Sequence, residues 1–364
     1  SPDSYSAYQF AIKSSLDSSN IELAERYFRG YLETIKPIDK NDYGKLIYSL
    51  SNNKNRLNVI KFFQKYLNQN QNRILSLGFI ELLYSYNMPT EVISNIDKIG
   101  SLDERNLVRL YADSLFLLHQ NIRAKDILEK YLQNKASSDR QVEYELLDIY
   151  LSLDDMVSAN KLIESIFDKD PGNIENIYRI SRILYENKNY SLSEKYLGAI
   201  VIESDEVNLL RGLNDYELGN YTESINHYNR VNSYNIKILA LTNTSSVLVK
   251  TDGIENAISY LDSQINNYSE TAIKENFILK QISILNDYEL YNQIIELSTK
   301  YLINDPFNPK LLYARAMAYE ELEEIQSKVI RKLRQNKNLS RVESDYSRNK
   351  PEIKLVINKN KDKD

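Results

Sequence analysis

A small or compact residue returns about every 34 positions along the chain: Ala24, Val59, Val92, Ala124, Ala159, Ser193, Ser224, Ala257 and Ile294. A period in this range marks stacked helical hairpins, because each unit buries its apolar face only on its neighbours. Four positions after these anchors come Phe28, Phe63, Ile96, Leu128, Ile163, Leu197, Tyr228, Leu261 and Ser298. Seven positions after them come Tyr31, Tyr66, Ile99, Tyr131, Ile166, Ile200, Val231, Gln264 and Tyr301. Spacings of four and seven keep one face of a helix apolar. The small residue lets that helix approach its partner, and the larger ones fill the groove beside it.

A matching helix precedes each of these. Leu50, Leu83, Leu115, Tyr150 and Leu184 lie nine residues before an anchor, and Leu46, Phe79, Tyr111, Leu146 and Ile180 thirteen before. Turn residues separate the two helices, as in Glu217-Leu218-Gly219-Asn220-Tyr221, where Gly219 suits a left-handed cap. Between units come Asp170-Pro171-Gly172-Asn173 and Asp305-Pro306-Phe307-Asn308-Pro309, where proline stops one helix and starts the next.

This pattern resembles the tetratricopeptide repeat family. From Arg140, Leu146, Tyr150, Met156, Ala159 and Pro171 fall at repeat positions 7, 11, 17, 20 and 32. From Ile174, the residues Ile177, Ile180, Ser181, Leu184 and Tyr190 are in register; from Asp205, Gly212, Gly219 and Tyr221; from Pro309, Leu312, Ala316 and Tyr319. The resemblance implies an all-α fold, an α–α superhelix of about nine to ten antiparallel helix pairs over residues 5–335. The chain departs from the family in having no Trp. The anchor is β-branched at Val59, Val92 and Ile294, and the unit around Thr242 to Gln264 fits worst. Solenoids with a period nearer 40 are the alternative for such degenerate units.

Composition narrows the rest. With 9 Gly and 7 Pro in 364 residues, tight turns are too few for a strand-rich fold. There is no Cys, so disulfide and thiol chemistry are excluded. No apolar stretch approaches the ~20 residues that span a bilayer. Residues 325–364 hold 12 Lys and Arg against 5 Asp and Glu, a net +7 against −5 for the whole chain. An acidic body therefore precedes a basic tail. From residue 336 the repeat pattern is lost, and residues 336–364 are expected to be a polar tail without fixed structure. Within it, Pro351 to Ile357 alternates well enough for a short strand that would add to a partner's sheet edge.

Enzymatic chemistry finds no foothold. His119 and His227 are far apart, and no set of ligands has the spacing of a metal site. No phosphate-cradling loop or nucleophile elbow is present, and Asp154-Asp155 and Glu323-Glu324 fall in a turn or on a solvated helix face. Neither catalysis nor a cofactor is expected. A net-negative repeat body disfavours nucleic acid, whose phosphates need a positive groove.

The family resemblance implies that the first helices line a concave face. Its inward positions fall here on Glu81, Tyr84, Arg109, Asp113, Tyr144, Asp148, Tyr178, Arg182, Tyr185 and Tyr216. A groove of this composition suits an extended protein segment held by tyrosines and charge pairs. The other reading is that several of these tyrosines pack between helices. The family's Lys/Asn/Arg clamp for a terminal carboxylate is missing from these positions. The partner-binding expectation rests on Arg109, Asp113, Tyr144, Asp148, Tyr178, Arg182, Tyr185 and Tyr216. Two functions stay open: a non-catalytic protein-interaction scaffold, or a structural subunit that meets partners through its convex face and basic tail. The stretch Asn308 to Leu322 looks like units of exported bacterial envelope-assembly proteins. The polar start Ser1-Pro2-Asp3-Ser4 suits a mature exported chain, one following a lipid-bearing Cys, and a shortened chain suits it too. This sets periplasm or outer-membrane association ahead of cytoplasm as the expected location. Oligomeric state is not legible.

Overall fold

The structure, a computed structural model, describes residues 2–36, 40–52, 54–100, 102–135, 138–334, 339–345 and 352–357. Nineteen helices run through the described residues. They are α1 Pro2–Asp17, α2 Ile21–Ile35, α3 Lys40–Leu50, α4 Arg56–Gln69, α5 Arg73–Ser85, α6 Pro89–Ile99, α7 Arg105–Leu117 and α8 Asn121–Gln133. Next come α9 Arg140–Ser152, α10 Met156–Lys169, α11 Ile174–Glu186, α12 Tyr190–Leu197, α13 Asp205–Glu217 and α14 Tyr221–Asn229. The last are α15 Tyr234–Thr251, α16 Ile254–Asn267, α17 Thr271–Asp287, α18 Tyr291–Leu302 and α19 Pro309–Arg334. Among the first eighteen, eight consecutive couples pack as hairpins, while α3 packs on α5 rather than on α4, so the fold is all-α and built largely from the helical hairpins that the 34-residue period predicts.

The anchors do what their size predicts. Ala24, Val59, Val92, Ala124, Ala159, Ser193, Ser224 and Ala257 have no exposed surface, and Ile294 has 2%. The two serine anchors add a bond: Ser193 Oγ donates to the Ser181 carbonyl and Ser224 Oγ to the Gly212 carbonyl, each at 2.7 Å. A buried hydroxyl is thereby satisfied on the first helix of its own hairpin. In the poorly matching unit, Gln264 leaves the core and its neighbour Ile265 enters it.

Seven hairpins share one turn. The residue two before the second helix is left-handed: Ser19, Asn87, His119, Asp154, Lys188, Gly219 and Glu289 all have φ between 56° and 81°. The next backbone N–H reaches a carbonyl five residues back, as in Asn189 to Leu184 at 2.8 Å and Asn220 to Asp215 at 2.8 Å. This is the Schellman closure of a helix end. Gly219, and to a lesser degree Asn87 and Asp154, are residue types that this geometry favours. Lys188→Gly is expected to raise stability by about 0.5–1 kcal/mol, the left-handed cost of a Cβ less the entropy that glycine adds to the unfolded chain. A urea midpoint that fails to rise at unchanged slope would contradict it.

The chain divides into two compact units, residues 1–200 and 201–364. In the first, one apolar cluster runs from Ile12 to Leu184. In the second, Tyr228, Val231, Ala240 and Val247 form one cluster, and residues from Ala257 to Ala318 form another.

Two details lie beyond α18. A tenth hairpin would turn near Leu322, but α19 runs straight through, 26 residues long. No Gly, Pro or Asn interrupts Leu322-Glu323-Glu324-Ile325, and Glu324 holds Lys328 one turn on at 2.7 Å. The tail was expected to lack structure. Two of its segments, β1 Leu339–Asp345 and β2 Glu352–Ile357, instead pair antiparallel, with Val342 opposite Leu355 and Ser344 opposite Ile353. The alternation that predicts a strand at 351–357 finds its partner within the chain. Residues 335–338, 346–351 and 358–364 lie outside the described residues.

Candidate functional site

In the first unit the first helices of successive hairpins lie side by side, α5 on α7, α7 on α9 and α9 on α11. Polar side chains tie them together. Tyr84 Oη donates to Asp113 Oδ2 at 3.2 Å, and Arg109 Nε donates to Glu145 Oε1 at 2.5 Å. Arg179 Nη1 donates to Gln141 Oε1 at 3.1 Å, and Asn187 Nδ2 to Asp148 Oδ1 at 2.6 Å. Each bond joins neighbouring repeats, 29 to 39 residues apart in sequence.

Between α9 and α11 the strip opens into a cleft of about 440 Å³. Tyr144, Glu145, Asp148, Tyr178, Arg179, Arg182 and Ile183 line it, with Gln141, Glu175 and Glu186. A second cleft, about 590 Å³, adjoins it at the start of α9 and shares Gln141, Tyr144, Glu175 and Arg179. Here Arg105, Lys135 and Arg140 bring positive charge beside Asp139. Arg105 bridges to Asp139 at 3.3 Å, and Arg140 to the buried Glu143 at 2.8 Å.

Burial sets the electrostatics. It pushes the carboxyls of Asp113, Glu145 and Asp148 above their ordinary range. The bonds from Tyr84, Arg109 and Asn187 respectively oppose that rise. Glu145 is left with one satisfied oxygen: its Oε2 is buried and has no hydrogen-bond partner.

The structure brings together four of the eight expected binding residues. Tyr144, Asp148, Tyr178 and Arg182 line the cleft. Arg109 and Asp113 stand next to it on α7, engaged with Glu145 and Tyr84. Tyr144 is only 5% exposed, its hydroxyl donating to Asn176 Oδ1 at 2.6 Å and its ring lying under the Arg179 guanidinium at 5.5 Å. It forms a floor rather than a projecting anchor. Tyr185 and Tyr216 pack across their own hairpins instead, against Tyr190 at 5.5 Å and Tyr221 at 5.9 Å between ring centres. Tyr216 also belongs to the second unit, so it is not part of this strip. Glu145 and Arg179, both at the sixth position of their repeats, escaped the sequence reading. Their signal is spacing, since each meets a residue about one repeat away.

No metal-ligating group of three His, Asp or Glu residues occurs among the described residues. None of their helices is long and apolar enough to cross a membrane.

The fold has solved counterparts. The pentatricopeptide repeat protein PPR10, in complex with an 18-nucleotide psaJ RNA element, superposes with a TM-score of 0.54 at 11% identity, over 88% of this chain and 50% of that one. A tetratricopeptide repeat protein from Parabacteroides merdae covers 71% of this chain and 98% of its own, with 11% identity and a TM-score of 0.41. MamA from Desulfovibrio magneticus covers 44% and 94%, at 16% identity and a TM-score of 0.34. No family model matches the sequence, and no curated protein matches it. The fold is all-α and built of tetratricopeptide-like helical hairpins, with nine buried anchors.

Proposed function

We propose that the protein is a non-catalytic interaction scaffold whose first unit holds an extended protein segment in the cleft between α9 and α11. The observation that carries this reading is the lining of that cleft, where Tyr144, Asp148, Tyr178 and Arg182 put aromatic surface next to charge. Tyr178 supplies apolar surface and Arg182 a charge, 62% exposed while it holds Glu186 at 2.8 Å. Tyrosine and arginine are the usual energetic anchors of interfaces. A role in envelope assembly, on the outer-membrane or periplasmic side, rests on the resemblance at Asn308 to Leu322 alone.

Replacing Tyr178 and Arg182 together by alanine is expected to weaken capture of the partner by at least about 30-fold, with circular dichroism and melting unchanged. The partner is to be found by affinity capture from the source organism and mass spectrometry, then measured as a purified segment. Retained binding in that variant overturns the reading. Binding lost only when residues 336–364 are removed would assign the interaction to the tail. A single-stranded RNA bound through Arg179 and Arg182 would replace the protein segment as ligand.

A further inference from the structure

On a chain of net charge −5, the cleft at the start of α9 is positive. Arg105 reaches it from the start of α7, Lys135 from the loop after α8, Arg140 from the start of α9 and Arg179 from α11. Three hairpins thus contribute, and none of these four residues is at an inward position of the repeat. Two carboxylates share the lining: Asp139, 3.3 Å from Arg105 Nε, and Glu175, 3.8 Å from Arg179 Nε. Behind the rim the buried Glu143 serves both Arg140 and Lys169. Lys135 meets no carboxylate among the described residues, and its ammonium rests 4.9 Å from the centre of the Tyr131 ring. Tyr131 is 6% exposed, and its hydroxyl donates to Asp139 Oδ2 at 3.2 Å. One buried side chain therefore fixes both the lysine and the carboxylate beside it. The neutral donors are already used: the Ser138 hydroxyl on Glu143, Gln141 Nε2 on Glu145 and Asn176 Nδ2 on Asp170. Five cations (Arg105, Lys135, Arg140, Lys169, Arg179) stand against three carboxylates (Asp139, Glu143, Glu175), a net of +2.

We propose that this cleft binds a phosphate monoester dianion carried on a side chain of a protein partner. Charge sets the valence. A carboxylate would cancel one of the two surplus charges, whereas a phosphoryl group at neutral pH carries about −1.5 to −2 and offers three acceptor oxygens. The donors to meet them are in place. Arg140 and Arg179 each keep an Nη2 that bonds nothing among the described residues, and Arg105 keeps both of its Nη groups. Bonds from guanidinium and ammonium groups to phosphate belong to the strong, charge-assisted class. The neighbouring strip limits the ligand to one such group. The cleft between α9 and α11 carries four carboxylates, Glu145, Asp148, Glu175 and Glu186, against Arg179 and Arg182. A nucleic-acid strand needs a positive track for its successive phosphates, and here the positive charge ends within one cleft. A single phosphorylated side chain fits that limit. The site stands apart from the reading of the α9–α11 cleft, since a small phosphate compound fills it with no bound segment.

The probe is N-acetyl phosphoserine amide, titrated into the full chain at neutral pH and followed by calorimetry, with N-acetyl aspartate amide as its carboxylate counterpart. Saturable binding is expected, at least about tenfold tighter than that of the aspartate compound. Lys135→Gln should weaken it by about fivefold or more. Lys135 is exposed, so this change should leave circular dichroism as it is, and Lys161→Gln, at an exposed site on α10, should leave both fold and binding unaltered. Glu143→Gln should act in the opposite direction and tighten binding about threefold or more, because it removes a negative charge from behind Arg140 and Lys169. A damaged fold cannot produce that gain. Absence of saturation overturns the proposal, and so does equal affinity for the aspartate compound. It also falls if Lys135→Gln binds as the unaltered chain does, or if Glu143→Gln binds no more tightly. Oligouridine RNA that binds more tightly than the phosphoserine compound, and loses that affinity in Lys135→Gln, would assign the cleft to a nucleic-acid strand instead.

Discussion

Replacing Gly212 by alanine is expected to cost about 2 kcal/mol of stability, although only one methyl group is added. A Cβ at this position would sit 2.4 Å from Cε1 and 2.6 Å from Cδ1 of Tyr228. The ring cannot swing away, since Tyr228 is 2% exposed and packs in one cluster with Val231, Ala240 and Val247. The helices cannot part without stretching the bond from Ser224 Oγ to the Gly212 carbonyl. In three other repeats the residue facing this point is leucine, at Leu128, Leu197 and Leu261. Tyr228→Leu should therefore relieve the clash, so the double variant should lose less than the sum of its single changes. Urea unfolding of all four proteins completes the cycle. Additive losses, or a Gly212→Ala cost below about 0.5 kcal/mol, would mean that the second unit yields where it is drawn as rigid.

That clash was half legible. The spacing of anchors and of the bulky residues four and seven later predicts which side chains are buried, because those spacings hold wherever a helix packs on a partner. Gly212 stands out by type, but its need for Tyr228 appears only when the hairpin closes. The turns divide in the same way. Gly219 announces a left-handed cap, whereas Lys188 and Glu289 adopt the same conformation with no preference for it, imposed by closure of the hairpin around them. Helix continuity beyond Leu322 is legible in principle, as that stretch holds no turn residue; the period alone, giving nine to ten pairs, leaves it open. At the cleft, the inward positions of the repeat predicted Tyr144, Asp148, Tyr178 and Arg182. Tyr185 and Tyr216 were misplaced because each has a tyrosine five residues on, across its own turn, and that pairing captures the ring. Glu145 and Arg179 are hard to read for a different reason, their one signal being a spacing of about one repeat to their partners. Their bonds run between repeats, and no single-helix pattern records them.

Replacing Glu143 by alanine should cost about 2–3 kcal/mol, the largest effect expected from any charged residue of the first unit. Its side chain is 5% exposed and gathers three groups: Arg140 Nη1 at 2.8 Å, Lys169 Nζ at 3.1 Å, and the Ser138 hydroxyl at 2.9 Å and 3.0 Å to its two oxygens. Ser138 immediately precedes the N-cap of α9, Arg140 opens that helix, and Lys169 closes α10. One carboxylate thus fastens the end of one helix to the start of another. Removing it leaves two cations without their buried partner. Lys169 is 48% exposed and can be hydrated, which holds the loss below that of a fully enclosed pair. Glu143→Gln separates charge from shape. It fills the same space and still accepts from Ser138, so the part of the loss it reproduces is the part due to the two ion pairs. High salt should weaken the unaltered protein towards the glutamine variant only slightly, because a site this buried is poorly screened. Thermal unfolding of the three proteins in low and high salt measures both quantities. Equal stability of the alanine variant and the unaltered chain would show that the junction is held by apolar packing alone. The effect reaches the second, adjoining cleft at the start of α9, which Arg140 lines. Loss of the Glu143 charge frees that guanidinium to turn into it, so a change of partner affinity in Glu143→Gln would show that the bound segment extends from the α9–α11 cleft into this one.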